Sequence, residues 1–203
     1  MKVLIVNGSP RERGLVGQWL EAVAAEVQQA GGEVEWFEVA DLHVQACTGC
    51  MSCRGTGECT LPADDGHRFA RLVEECDALV VGTPTYWANM STQLKLLFDR
   101  AVPAFIEDRR QGPPAARHRG KPAAVLSTCT TPWPLNVLLR QSRGATNAVR
   151  TILRSGGYRV LATLEKGGTR SSPSLSPRER EAAERLGRRL AAAAAASRAH
   201  SRK

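Results

Sequence analysis

Three short apolar runs constrain the fold of this chain more than any motif does. Lys2–Val6, Ala78–Gly82 and Ala123–Ser127 are almost free of polar residues and do not alternate. Runs this short, bounded by turn residues, are strands buried on both faces, which is the pattern of a parallel sheet covered by helices on each side. Val34–Val39 and Tyr158–Leu164 supply two further strands. Helical spacing fills the gaps. Val16, Trp19, Leu20, Val23 and Val27 share one face and stop at Gly31-Gly32. Phe69, Leu72, Val73 and Cys76 follow a capping Asp64 or Asp65, and Leu94, Leu97, Phe98 and Ala101 follow a capping Ser91. Ala145, Ala148, Val149, Ile152 and Leu153 end at Gly156-Gly157. Ser176-Pro177-Arg178-Glu179 reads as a capping box with proline at the first helical position. Five strands alternating with helices predict an α/β fold: a flavodoxin-like doubly wound five-stranded parallel sheet of order 2-1-3-4-5.

At 203 residues and 42% apolar content the chain suits one domain. Residues 1–190 are expected to form it, with a Cys-rich loop at 43–62, and 191–203 a helix end and basic tail. The stretch from Pro103 to Pro122 reads as a surface loop. No apolar run is long enough to span a membrane, and a strand beginning at Lys2 leaves no signal peptide, so a cytoplasmic location is expected. The net charge of +8 sits largely in Arg109, Arg110, Arg117, Arg119, Lys121 and the arginine-rich C-terminal segment ending Arg202-Lys203. No nucleic-acid-binding signature accompanies it, so it reads as a solvated basic face. His43, His67, His118 and His200 are scattered and read as surface residues. No Ser-His-Asp set or carboxylate pair points to hydrolysis, and no side chain stands out as catalytic.

In a doubly wound sheet, ligands bind beyond the carboxyl ends of the strands. The first such segment is "NGSPRERG", Asn7 to Gly14, where Gly8 permits a tight turn, Ser9 and Arg11 offer donors, and a helix N-terminus follows. It is neither a P-loop nor GxGxxG. The next is "TPTYWANMSTQLKLLFDR", Thr83 to Arg100. Pro84, Thr85, Tyr86, Trp87 and Asn89 there form an aromatic platform with polar flanks, in a chain with only four Trp, two Tyr and four Phe. The third is "STCTTPWPLN", Ser127 to Asn136, in which Thr128, Cys129 and Thr130 supply hydroxyl, thiol and backbone donors.

These segments resemble the NAD(P)H-dependent FMN reductase family of flavodoxin-like flavoproteins, through "GSPRERG" followed by the P-x-Y-W segment. The resemblance implies FMN. Ser9 and Arg11 would bind its phosphate, Pro84 to Asn89 would line the isoalloxazine, and Ser127–Thr130 would close the far side. It also implies NAD(P)H as co-substrate, a quinone-like or other small conjugated substrate, and a homodimer or homotetramer. The family pattern continues with Asn and Thr where this chain has Leu15 and Val16. Backbone N–H groups, Ser9 and Arg11, or Gln18 one turn later, must replace the missing donors.

"CTGCMSCRGTGEC" places Cys47, Cys50, Cys53 and Cys59 in C-x2-C-x2-C-x5-C spacing. In this family context it resembles the iron–sulfur flavoproteins, whose compact cysteine motif holds a [4Fe–4S] cluster. That implies a second role, an electron carrier passing electrons between FMN, the cluster and a redox partner protein. Four thiolates also suit zinc, and free thiols or a reversible disulfide remain open. Cys76 falls on a helix core face.

Overall fold

The computed structural model describes residues 1–11, 13–109 and 111–201. Arg110, Arg202 and Lys203 lie outside the described residues, as do Glu12 and the side chains of His200 and Ser201. The elements run β1 (Lys2–Asn7), α1 (Leu15–Gln29), β2 (Glu33–Glu38), α2 (Cys53–Thr56), α3 (Asp65–Glu75), β3 (Ala78–Pro84), α4 (Thr92–Arg100) and α5 (Val102–Phe105). They continue with β4 (Ile106–Glu107), β5 (Ala115–Ala116), β6 (Pro122–Thr128), α6 (Leu135–Leu138), α7 (Gln141–Ser155), β7 (Arg159–Lys166) and α8 (Pro177–Ser201). The main sheet is parallel and ordered β2-β1-β3-β6-β7, which is 2-1-3-4-5 counting its own strands.

The uninterrupted apolar strands divide their side chains between two cores. Val3 and Ile5 of β1, with Val80 and Leu126, face α1 and α8. Leu4 and Val6, with Leu79, Val81 and Val125, face α3, α4 and α7. Each fully buried side chain of this size contributes about 1.5–3 kcal/mol of hydrophobic stabilisation, so both faces must be covered.

The caps fall where the residue types place them. Asp64 Oδ1 accepts from the N–H of Gly66, and Ser91 Oγ from the N–H of Leu94. Ser176 Oγ accepts from the N–H of Glu179, while the Glu179 carboxylate accepts from the N–H of Ser176.

Two expectations are corrected. The stretch from Pro103 to Pro122 is not simply a surface loop. It begins within α5, carries the antiparallel β4–β5 pair, and buries Pro103, Ala104 and Phe105. A chain of rings draws it inward: Phe37 to Phe69 (5.3 Å), Phe69 to Phe98 (5.8 Å) and Phe98 to Phe105 (5.6 Å). His118, expected at the surface, is buried against Tyr158, their ring centroids 4.7 Å apart.

Register aligns the strand ends. Asn7 lies opposite Gly82, Pro84 opposite Thr128, and Thr128 opposite Lys166. The β1 and β3 backbones meet closely there: the Gly8 N–H donates to the Gly82 carbonyl at 2.7 Å, and a β-carbon on Gly8 would also stand 2.7 Å from that oxygen.

Candidate functional site

The aligned strand ends open into a cleft of about 320 Å3, within the range of small-ligand pockets. Ser9, Arg11, Arg13, Leu15, Val16 and Gln18 line one end; Pro84, Thr85, Tyr86, Thr128 and Thr130 come from the ends of β3 and β6 and the loops that follow. Thr169 and Pro173 enter from the segment after β7. Arg13 lies within the NGSPRERG segment but was not singled out there, and the sequence offers no motif for Thr169 or Pro173. The one available signal is positional, since a fifth parallel strand must also end at this edge.

The β1–α1 turn gathers donors at one end of the cleft. Ser9 is buried, its N–H donating to Asn7 Oδ1 (3.2 Å) and its Oγ accepting from the Arg11 N–H (3.1 Å). Among the described residues no side chain caps α1, and its first turn carries no acidic residue. An uncapped helix start leaves backbone N–H groups and the positive dipole end available. Arg11 and Arg13 add two guanidinium groups, and Gln18 occupies the wall one turn into the helix. Leu15 and Val16 contribute no side-chain donor, so the donors at this end are backbone N–H groups, Ser9, Gln18 and the two arginines.

Tyr86 and Asn89 exchange backbone hydrogen bonds, each 2.9 Å, across Trp87 and Ala88. Both central residues have positive φ, 51° and 57°, as a type I′ turn requires. For non-glycine residues that conformation carries strain of about 1–2 kcal/mol each. The turn separates the two aromatic rings: Tyr86 lines the cleft, while Trp87 is 99% exposed and stands outside the cleft lining. Asn89 also lies outside it, exposed, with Oδ1 accepting from the Met90 N–H. Cys129 is buried, and its Sγ accepts from the Thr131 N–H (3.4 Å) rather than lining the cleft. The Thr85 and Ser127 hydroxyls pair at 2.9 Å.

Cys47, Cys50, Cys53 and Cys59 are all free thiols, the first two exposed and the others half-buried. Hydrogen bonds from the side chain and backbone of Ser52 lower the Cys50 pKa to about 7, with Thr48 and Thr60 assisting. Burial raises that of Cys53, and so does charge on Cys59, Cys47 and Cys50, so the four sulfurs lie within electrostatic reach of one another. Among the described residues, no group of three or more His, Cys, Asp or Glu side chains is arranged to hold a metal ion. The donor set itself is all sulfur, the set that iron–sulfur clusters use.

The loop is anchored through Arg100, a residue the sequence did not single out. Arg100, whose side chain is 0% exposed, donates through Nη1 and Nη2 to the Asp64 carboxylate (2.7 and 3.1 Å) and through Nε to Cys59 Sγ (3.2 Å). Burial raises the Asp64 pKa, but the N–H of Gln45 and the Arg100 guanidinium outweigh it and hold the carboxyl below its usual value. His67, half-buried rather than at the surface, completes the α3 capping box through Nδ1, and its Nε2 donates to the Cys59 carbonyl at 2.9 Å.

Comparisons with known proteins bear on the family and the fold. An iron–sulfur flavoprotein of Archaeoglobus fulgidus is 38% identical over 103 residues, covering 51% of this chain and 46% of that protein. One from Methanocaldococcus jannaschii is 37% identical over 110 residues, covering 52% and 54%. An FMN reductase (NADPH) of Pseudomonas putida is 31% identical over 99 residues, covering 49% and 46%. The chain thus spans about half the length of the curated relatives it matches. An FMN-dependent NADH-azoreductase from Bacillus anthracis, solved with FMN, superposes with a TM-score of 0.73 at 13% identity, covering 94% of this chain and 99% of that one. A flavone reductase gives 0.70 at 16% identity, covering 96% and 63%. At such identities these structures show a shared fold. Among the described residues no helix is long and apolar enough to cross a membrane. The family model described as NADPH-dependent FMN reductase matches residues 1–164, and the chain belongs to that family.

Proposed function

We propose that the chain is an FMN-dependent NAD(P)H oxidoreductase that reduces a quinone-like or other small conjugated substrate. The observation that carries this is the cleft itself, cationic around an uncapped helix start at one end and bordered by Pro84, Thr85 and Tyr86 beyond β3. Ser9, Arg11, Arg13 and the first N–H groups of α1 would hold the FMN phosphate. Tyr86 would flank the ring system, and Thr128 and Thr130 would meet its polar edge. FMN, when bound, supplies the hydride acceptance and the release of electrons singly or in pairs. The chain's own contribution is to orient, to exclude water and to place donors. Trp87, exposed beyond the cleft, is assigned to the approach of the substrate rather than to the flavin.

The experiment is anaerobic purification followed by visible spectroscopy and NADH and NADPH oxidation assays. Flavin bands bleached by either nucleotide are expected; protein without flavin, and unable to take it up, would refute the reading. Arg11→Ala is expected to weaken FMN binding by about tenfold or more, since charge-assisted hydrogen bonds contribute about 1.5–3 kcal/mol. Unchanged affinity would remove Arg11 from the phosphate site.

A second reading is favoured by the four clustered thiols and by relatives named iron–sulfur flavoproteins. In it Cys47, Cys50, Cys53 and Cys59 hold a [4Fe–4S] cluster and the chain carries electrons to a partner protein. Cys53→Ala is then expected to abolish bound iron while FMN is retained. Full iron stoichiometry in that variant would exclude the ligand set, and zinc found in place of iron would redirect it.

A further inference from the structure

We propose that Arg100 is the positioning residue of the cysteine loop: it fixes the Cys59 sulfur as a ligand and, by donating a hydrogen bond to it, raises the reduction potential of the centre the loop carries. The proposal rests on the cluster reading above.

One guanidinium closes the loop from both sides. Nη1 donates to the Gln45 carbonyl (2.8 Å) where the chain enters, and Nε reaches Cys59 Sγ where it leaves. The fork on Asp64 fixes the guanidinium plane. Asp64 in turn accepts from the N–H groups of Gln45 (3.0 Å) and Gly66 (3.0 Å), and His67 grips the carbonyl of Cys59. Cys59 is therefore held by its backbone and by its sulfur.

A staple for folding alone would not need this arrangement. A buried ion pair is a weak source of net stability compared with packed apolar side chains. A neutral thiol is also a weak acceptor for so well-placed a donor. The donor gains strength when the sulfur bears charge, which is the state of a metal-bound thiolate. An N–H donor on a ligand sulfur favours the form carrying the extra electron, so Arg100 raises the potential. The electron arrives from the flavin of the reading above, without a proton and without making or breaking a bond to Cys59.

Arg100 also sets where Cys59 stands relative to the cleft. It is the last residue of α4, a nine-residue helix about 13.5 Å long. At the other end, Ser91 Oγ donates to the Gly8 carbonyl (2.6 Å) and the Ser91 N–H donates to Thr83 Oγ1 (3.1 Å). One rigid helix thus joins the phosphate turn and the β3 end to the fourth cysteine.

The test uses R100K and R100Q in the full chain, reconstituted anaerobically with iron and sulfide. Iron affinity under chelator challenge is expected to fall about 10- to 100-fold, as for other supports of metal ligands, and the midpoint potential of the iron centre to move to more negative values. Wild-type affinity and potential in both variants would overturn the proposal. In iron-free protein, site-resolved iodoacetamide labelling is expected to accelerate at Cys59 in the variants but not at Cys47. If the wild type takes up no iron, the cluster reading fails, and this labelling arm alone judges whether Arg100 positions the thiol; an unchanged Cys59 rate would overturn that too. Should R100Q fail to fold, R100K, which keeps the charge, decides.

Discussion

Lowering the pH from 6.5 to about 4 is expected to remove about 3 kcal/mol of folding stability through His118 alone. Its pKa is lowered to about 4, first by burial and further by the charges of Lys121 and Arg117, against the opposing hydrogen bond to Ala104. Since a carbonyl only accepts, Nε2 carries the proton and donates to Ala104 at 2.7 Å, which leaves Nδ1 a bare acceptor without a partner. A second proton would have to sit on that buried nitrogen. The unfolded chain has no such restriction and titrates near 6.5. Between the two values the unfolded state binds more protons, so stability is full above 6.5, falls as the pH falls through the window, and levels off below about 4. His118→Gln retains an N–H donor for Ala104 but does not titrate. Urea melts of both proteins from pH 7.5 to 4 should show the wild type losing about 3 kcal/mol more than the variant. At pH 7.5 the variant should be about 1 kcal/mol less stable, having lost the ring stacked on Tyr158. Parallel profiles would show that His118 is not the acid-sensitive group.

The second large effect is expected at Gly144, where two contributions of opposite sign compete. It lies inside α7, where replacing Gly by Ala ordinarily gains about 1 kcal/mol. A β-carbon there would collide with the Ala88 carbonyl oxygen and stand 2.9 Å from the Ala88 β-carbon. Neither is the end of a flexible side chain, so the Trp87–Ala88 turn or the helix must move. Overpacking of this kind costs about 1–3 kcal/mol, and the turn already holds two strained residues. Gly144→Ala is therefore expected to lower the melting temperature and to weaken FMN binding by displacing Tyr86. A variant that melts higher and binds FMN unchanged would show that the turn tolerates displacement.

The sheet was legible in the sequence because its three central strands are buried on both faces, which leaves Leu4, Ile5, Leu79 and Val80 in uninterrupted runs. Ser91, Asp64 and Ser176 were legible because a cap acts on residues two or three positions away. What escaped was encoded at long range. Arg100 ends an amphipathic helix, where a charged residue normally meets solvent. Its burial depends on Asp64, 36 residues earlier, and on Cys59, 41 earlier. His118 was read as a surface group because the segment around it is rich in Pro, Gly and Arg. Phe105 within that segment was the overlooked sign that part of it turns inward. Tyr86 and Trp87 read alike as neighbours, but two successive residues with positive φ send them to different surroundings.

The same turn marks out which positions near the cleft can vary. Trp87 is held by backbone geometry and touches almost nothing through its ring, so a randomised library at this position should retain folded protein across most side chains compatible with positive φ. Gly144, packed against Ala88, and Gly8, packed against the Gly82 carbonyl and Leu94, admit almost no replacement. If Trp87 meets the approaching substrate, as proposed above, diversity introduced at 87 would alter that encounter without disturbing the cleft floor, and 87 would be the first position to randomise.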